Sequence, residues 1–252
     1  MTHNQEVTHD FHSKANFCAF LGLPNNVRFP ELGKVQQYSP RIHLFQQGAP
    51  PGEAYFVASG IVKLTALGSD GREVIVSLRG AGWLLGTTSA ILNEPYPTSA
   101  VTITKSHLQR IATCDLRRLL QTNLEFSLRV HEIHASEARA NLERLTALAT
   151  QSAGERLTTL LTQVIIASRQ ELRGKECMLD MPLKQWEIAQ LLAVSPEHIN
   201  RLLRKLEHEG VVRREKSTII VADPGRLIAL SVEAGPPYWN QQQSGIVNPL
   251  RS

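Results

Sequence analysis

Glu197 and Arg201 stand one helical turn apart, so on a helix both side chains leave the same face. A guanidinium there can donate two bonds to guanine O6 and N7, and a carboxylate can accept from cytosine N4. In the surrounding run SPEHINRLLRKLEHEG, Ile199, Leu202, Leu203 and Leu206 recur at helical spacing as a buried stripe. The polar positions Glu197, His198, Asn200, Arg201, Arg204 and Lys205 largely take the opposite side. Ser195 is a good N-cap, and Pro196 suits the first helical position, where its missing N–H costs nothing. Upstream, Ile188, Leu191 and Leu192 form the stripe of a helix beginning near Gln185, with Ala193 and Val194 as the turn between the two helices. Downstream, VVRREKSTIIVA sets β-branched residues on either side of a charged tip, which predicts a two-stranded wing carrying Arg213, Arg214 and Lys216. A helix face of mixed charge is by default only a solvated surface. The order of helix, tight turn, helix and basic hairpin argues for more, because it lays one helix in a major groove while a wing meets phosphates. Double-stranded DNA is the expected partner, contacted by those six polar positions together with Ser195, Arg213, Arg214 and Lys216.

The elements before this segment must position it. Thr122 and Glu125 have capping-box spacing, which puts a helix start near Asn123, after a short helix from Leu116 to Gln121. From there Leu124, Leu128, His131, Ala135, Ala138, Leu142, Leu145 and Ala149 alternate steps of four and three, a heptad seam. Such a seam can pack on its own domain or against a second copy. In the second case the alanines permit close approach, His131 is a polar register element, and the homodimer presents two reading helices to a palindromic site. Ser152 and Glu155 repeat the capping-box spacing, so another helix begins near Ala153 and runs toward Leu172, leaving a hinge around Thr150 to Ser152.

Residues 27–113 have a different texture. AYFVA, GIVKLTAL, REVIVSL and AVTITK read as short strands punctuated by glycine, the pattern of a compact antiparallel barrel or jelly roll. GSDGRE, Gly68 to Glu73, is a hairpin signal because Asp70-Gly71 tolerates left-handed dihedrals. Neither GxGxxG nor GxxxxGK occurs, which argues against Rossmann and P-loop units. At 252 residues the chain is long enough for two domains, and its formal charge of +4 favours an anionic partner. No apolar run reaches membrane-spanning length and the polar N-terminus lacks the features of a secretory signal, so a cytoplasmic protein without membrane contact is expected. GxSxG, HExxH and paired-cysteine metal motifs are all missing, so the chain does not read as an enzyme and no metal site is expected.

Taken together, LFQQGAPPGEAYFVASGIVKL at Leu44 to Leu64, GAGWLLG at Gly80 to Gly86 and LLAVSPEHINRLLRKLEHEGVV at Leu191 to Val212 resemble the cyclic-AMP receptor protein and fumarate-nitrate reduction regulator superfamily. The likeness covers roughly residues 27 to 230. It implies an α+β fold with a cyclic-nucleotide-binding-like β-roll, a long dimerisation helix and a C-terminal winged helix-turn-helix domain. The corresponding division is an extension at 1–26, a sensor at 27–121, dimer helix and hinge at 122–151, reader at 152–230 and a flexible proline- and glutamine-rich tail at 231–252, where Tyr238 and Trp239 could dock. It also implies a dimeric transcription regulator in which Glu197 and Arg201 match the base-reading pair and Asn200 matches a position that varies with operator preference. Pro196 departs from the arginine or valine usual there, so the operator is expected to differ. An activator of this kind would also contact RNA polymerase, and no local pattern marks such residues.

The sensor half departs further from the family pattern. Cyclic-nucleotide binders of the family carry a glutamate for the ribose and an arginine before Ser-Ala for the phosphate; here those positions hold Thr87 and Thr98, although Ser99 and Ala100 remain. Burying a phosphate without its guanidinium is costly, which argues against cyclic AMP. Trp83 at a usually acidic position changes the same rim. Cys18, Cys114 and Cys177 cannot supply four clustered ligands, which argues against an iron–sulfur cluster. Haem needs only one or two axial ligands and stays open, with His43, His107, His131 and His134 as candidates. The cofactor is thus left unassigned, and a small-molecule effector would meet Leu85, Gly86, Thr87, Tyr96, Thr98 and Ser99, with Ile91, Leu92 and Val101 flanking. Two alternatives remain: a cyclic-nucleotide- or haem-responsive regulator of the same fold, and a β-roll interaction module whose winged helix no longer reads DNA.

Overall fold

The computed structural model describes Phe29, Leu32 and residues 34–167, 176–179, 181–215 and 218–233. Expectations for the extension 1–26, for Cys18, for Lys216 and for Tyr238 and Trp239 lie outside the described residues. In chain order the elements are β1 (Val35–Tyr38), β2 (His43–Phe45), β3 (Glu53–Ser59), β4 (Val62–Leu67), β5 (Glu73–Arg79), β6 (Leu84–Leu85) and α1 (Thr87–Leu92). There follow β7 (Ser99–Thr102), β8 (Ser106–Ala112), α2 (Thr113–Thr122), α3 (Leu124–Thr150) and α4 (Ala153–Ala167). The last are β9 (Cys177–Leu179), α5 (Gln185–Leu191), α6 (Pro196–His208), β10 (Val212–Glu215), β11 (Thr218–Val221) and α7 (Pro224–Glu233).

The first eight strands form two four-stranded antiparallel sheets, ordered β1-β8-β3-β6 and β2-β7-β4-β5. Side chains alternate across a strand, and β3 uses both faces. Tyr55 and Val57 join Val62, Leu85, Ala100 and Leu108 between the sheets. Ala54 and Phe56 turn the other way, onto Leu116, Phe126, Val130 and Ile133 of α2 and α3. The β4–β5 hairpin closes as its sequence requires: Leu67 pairs with Glu73, Gly71 takes φ +78, and Gly71 N–H donates to Gly68 O at 3.0 Å. Only the glycine of the Asp70-Gly71 pair adopts the left-handed region.

Helix α3 buries only one stripe. Phe126, Val130 and Ile133 pack on the sheet, whereas Leu124, Leu128, His131, Ala135, Ala138, Leu142, Leu145 and Ala149 are all exposed. Its start near Asn123 is where the spacing put it, but the capping residue is not Thr122. Thr122 is still the last residue of α2, its hydroxyl donating back to Arg118 O at 2.8 Å, and the cap is Asn123, whose Oδ1 accepts from Phe126 N–H at 2.9 Å. The preceding helix had already claimed the threonine. At the next junction the expected box is present: Ser152 N–H donates to Glu155 Oε2 at 2.5 Å and Glu155 N–H to Ser152 Oγ at 3.3 Å. Helix α4 is described to Ala167, so its expected extension toward Leu172 lies outside the described residues. Helix α7 runs through Glu233, past the expected start of the tail at residue 231. Among the described residues no helix is long and apolar enough to cross a membrane.

Candidate nucleic-acid interface

Helix α5 ends at Leu191, and the turn into α6 is made possible by Ala193, a non-glycine residue held at φ +55. Ser195 caps α6, its hydroxyl oxygen accepting from His198 N–H at 3.2 Å, with Pro196 at the first helical position. Ile199, Leu203 and Leu206 anchor the helix in a core shared with Ile188, Leu192, Val211 and Val221. The face left over carries Glu197, Arg201, Arg204 and Lys205, all exposed, with His198 and Asn200 half-buried at its edges. Its own backbone N–H, the Ser195 hydroxyl and, to a smaller extent, Arg201 hold the Glu197 carboxyl below its ordinary range. Glu197 therefore stands as an ionised acceptor at a helix N-terminus, where negative charge is favoured. Arg201 and Arg204 have no ion-pair partner among the described residues, and Lys205 lies 3.9 Å from Glu209.

The wing residues behave differently from one another. Strands β10 and β11 pair in register, and β9 extends the ribbon to three strands. Arg213 is bridged on the surface to Glu176 at 2.7 Å and Glu215 at 2.6 Å. Arg214 turns back onto α6, donating to Glu207 at 2.9 and 2.6 Å and to Asn200 Oδ1 at 3.3 Å. That side chain ties wing to helix, so a free phosphate contact, which the sequence alone suggests for it, requires breaking a two-bond pair. Gln185, named from the sequence only as a helix start, completes the lock by donating to Asn200 Oδ1 at 2.7 Å.

In the sensor, Phe45 and Tyr96 pack beside Gly86. Its φ of +78 excludes a side chain comfortably, and an added Cβ would fall 3.0 Å from Glu53 O and 3.1 Å from Tyr96 Cε1. Tyr96 is buried and stacks on Phe45 with ring centres 4.2 Å apart. Its hydroxyl accepts from Gly52 N–H and Glu53 N–H at 3.1 and 2.9 Å and donates to Glu53 O at 2.6 Å. Leu85 is core, Ser99 Oγ accepts from Gln47 N–H at 3.0 Å, and Thr98 is half-buried. Thr87 is buried and hydrogen-bonded through Oγ1 to His134 Nε2 on α3 at 2.9 Å. Burial pushes the His134 imidazole below its ordinary value. Trp83 is buried under the Arg79 guanidinium, 4.1 Å from the ring centre, and Arg79 pairs with Glu137 of α3 at 2.7 Å. Of the other histidines, His43 is exposed, His107 Nδ1 is hydrogen-bonded to Ser59 Oγ at 2.9 Å, and His131 Nδ1 to Ser127 O at 2.7 Å. Cys114 is exposed and Cys177 buried. Among the described residues no three His, Cys, Asp or Glu side chains gather in a group that could hold a metal ion.

Residues 35–123 match the cyclic nucleotide-binding domain family and residues 155–230 the Crp-like helix-turn-helix domain family. A CRP-like cAMP-activated global transcriptional regulator of Mycobacterium tuberculosis is 30% identical over 192 residues, which span 75% of this chain and 84% of that protein. The chain belongs to the CRP/FNR family of transcription regulators. This CRP/FNR regulator is also similar to the nitrogen fixation regulation protein FixK of Bradyrhizobium diazoefficiens, at 24% identity over 85% of the chain and 89% of that protein. The FixK2 structure from Bradyrhizobium japonicum superposes with a TM-score of 0.64 at 21% identity, covering 78% of this chain and 96% of that one. A CRP-family regulator from Thermus thermophilus gives 0.67 at 18% identity, covering 80% and 99%. These structures share the expected α+β fold.

One group of residues in this CRP/FNR regulator has no local signature in sequence. The reader docks on its own sensor: Ile61, Ile75 and Leu78 of the β-roll enter the same core as Leu157, Ile188 and Leu192. Lys63 Nζ on β4 donates to Glu187 Oε1 on α5 at 2.8 Å and lies over the Trp186 ring. Arg144 of α3 donates to Ile75 O and Val76 O of β5 and to Leu191 O at the end of α5, while Arg156 of α4 donates to Leu192 O at 2.9 Å. Burial, with Arg79 and Arg156 nearby, depresses the Arg144 guanidinium. These partners are far apart in the chain, which is why periodicity and motif spacing miss them.

Proposed function

We propose that this transcription regulator works in the cytoplasm as a homodimer, not as an enzyme, joined along the exposed seam of α3, and reads a palindromic operator through Glu197 and Arg201. The division of labour follows the elements: sensor over 27–121, dimer helix and hinge over 122–151, reader over 152–230. One observation carries the reading. The solvent face of α6 presents an ionised Glu197 beside Arg201 and Arg204, which are uncommitted among the described residues, on a helix whose other face is fully anchored. A donor pair and an acceptor one turn apart suit adjacent base edges in a major groove. Arg201→Ala should cost about 1–3 kcal/mol on the specific site and relax discrimination there. A mobility-shift titration in which specific and random duplexes weaken equally would refute that role.

The same proposal gives the regulator an input other than cyclic AMP. The Mycobacterium tuberculosis relative is described as cAMP-activated, but this chain has threonine where a phosphate would meet arginine, and the Thr87 hydroxyl is engaged by His134. Direct contact of Thr87 with α3 makes the dimer helix the natural route for a signal from the β-roll. RNA polymerase is a further partner if the bound dimer activates. Calorimetry with cyclic AMP, showing tight binding coupled to operator affinity, would overturn this assignment.

A further inference from the structure

Arg213 and Arg214 are neighbours on β10, so their side chains leave opposite faces of the strand. Arg213 meets Glu176 and Glu215 where all three side chains are about half exposed. Water competes for such pairs, and releasing them costs little. Arg214 instead makes a fork on Glu207, Nε to Oε1 at 2.9 Å and a terminal nitrogen to Oε2 at 2.6 Å, with both side chains only 28% exposed. Chiefly through that fork the Glu207 carboxyl is held below its ordinary range, so the pair stays charged. The other terminal nitrogen donates to Asn200 Oδ1 at 3.3 Å, and Gln185 Nε2 donates to the same oxygen at 2.7 Å. Asn200 and Glu207 stand seven residues apart, about two turns of α6, and so share the flank that faces the wing. Gln185 opens α5. One guanidinium therefore joins the wing to α6 at two levels, and the Asn200 oxygen carries the chain of bonds on to α5.

We infer that Arg214 is a positioning residue for base reading: braced by Glu207, Asn200 and Gln185, it fixes wing, α6 and α5 as one body and so aims Glu197 and Arg201, without contacting DNA itself. Arg201 directly follows Asn200, and Glu197 precedes it by one turn. A roll of α6 about its own axis that breaks the bonds on the wing flank must therefore turn both readers away from the base edges. The buried stripe of Ile199, Leu203 and Leu206 holds the helix down, but apolar attraction has no direction and resists such a roll weakly. A bidentate fork between guanidinium and carboxylate is directional in both distance and plane. Lysine, a point charge on a flexible stem, cannot reproduce it.

This rests on the proposed reading by Glu197 and Arg201, and the test separates the two. Full-length wild type, Arg214→Lys and Glu207→Gln are titrated, over a range of salt, onto a duplex that wild type selects from random sequences and onto a random duplex. Each variant should lose discrimination between the two duplexes by roughly five- to a hundredfold, the worth of one misaligned bidentate base contact. The salt dependence on random DNA should keep its wild-type slope, because no phosphate contact is lost. Arg214→Lys is the sharper variant, since a phosphate contact would survive an exchange that keeps the charge, and a directional brace does not. Three results overturn the inference. One is discrimination held at the wild-type ratio in both variants. Another is equal weakening on both duplexes, which marks loss of folded protein rather than of aim. The third is a Glu207→Gln variant that binds every duplex more tightly with a salt slope steeper by about 0.9, the sign of an Arg214 released onto a phosphate. A wild type that prefers no duplex defeats the reading by Glu197 and Arg201 instead.

Discussion

Replacing Leu142 and Leu145 by glutamate should turn the proposed dimer into a folded monomer. In the single chain these side chains stay 63% and 64% exposed, so the protomer's own fold uses little of their surface. Full burial of a leucine contributes about 1.5–3 kcal/mol, and covering the part left exposed gives about 1–2 kcal/mol for each. A two-fold axis repeats both residues on the partner, which brings the total to about 4–8 kcal/mol. At about 1.4 kcal/mol per decade, losing it weakens association by roughly three to six orders of magnitude, before any repulsion among the new carboxylates. Phe126, Val130 and Ile133, which hold α3 to the β-roll, are untouched. Sedimentation velocity at micromolar protein should therefore report a monomer whose circular dichroism matches wild type. A variant that sediments as a dimer refutes the seam, and one that is monomeric but unfolded refutes the claim that these leucines are spare in the protomer.

Two further outcomes follow from the contacts between parts of the chain. Lys63→Met removes the ion-pair partner of the Glu187 carboxylate, leaving it only the Lys184 N–H at 3.0 Å, at a site where both side chains are largely buried. Breaking a buried pair costs about 3–5 kcal/mol, unless the reader swings off the sensor to rehydrate the charge. Urea unfolding and small-angle scattering together read both escapes, and no change in midpoint or radius refutes the docking. The His134 imidazole is held below its ordinary 6.5 chiefly by burial, with His131 adding to the shift and Glu137 opposing it. The unfolded chain therefore takes up the proton first, so this contribution is complete above 6.5 and drains away as pH falls toward the folded value. Between about pH 7.5 and about pH 5.5 the thermal midpoint should fall more in wild type than in His134→Gln, and equal falls would count against the shift.

The helix-turn-helix was legible because everything that makes it is local. Ser195, Pro196, the Ile199 to Leu206 stripe and the β-branched flanks of the wing specify short-range geometry, and the structure follows them. The heptad spacing along α3 was legible for the same reason, and the structure leaves those positions exposed in the single chain. Thr122 misled because capping-box spacing cannot say whether a threonine is still inside the previous helix; its bond to Arg118 O, not its distance from Glu125, assigns it. Charge on the wing could be read from the sequence, but only the tertiary structure shows that Arg214 is paired with Glu207.

Sequence alone determined the kind of protein this is: hydrophobic periodicity, caps and turn residues act over a few positions, and they write β-roll, long helix and winged reader in order. Tertiary structure alone decided what the polar groups are free to do. A hydrogen bond spends a lone pair or a donor wherever its partner happens to lie in the chain, so Thr87 is committed to His134, Lys63 to Glu187, and the Asn200 carbonyl to Gln185 and Arg214. No pattern of spacing announces those commitments.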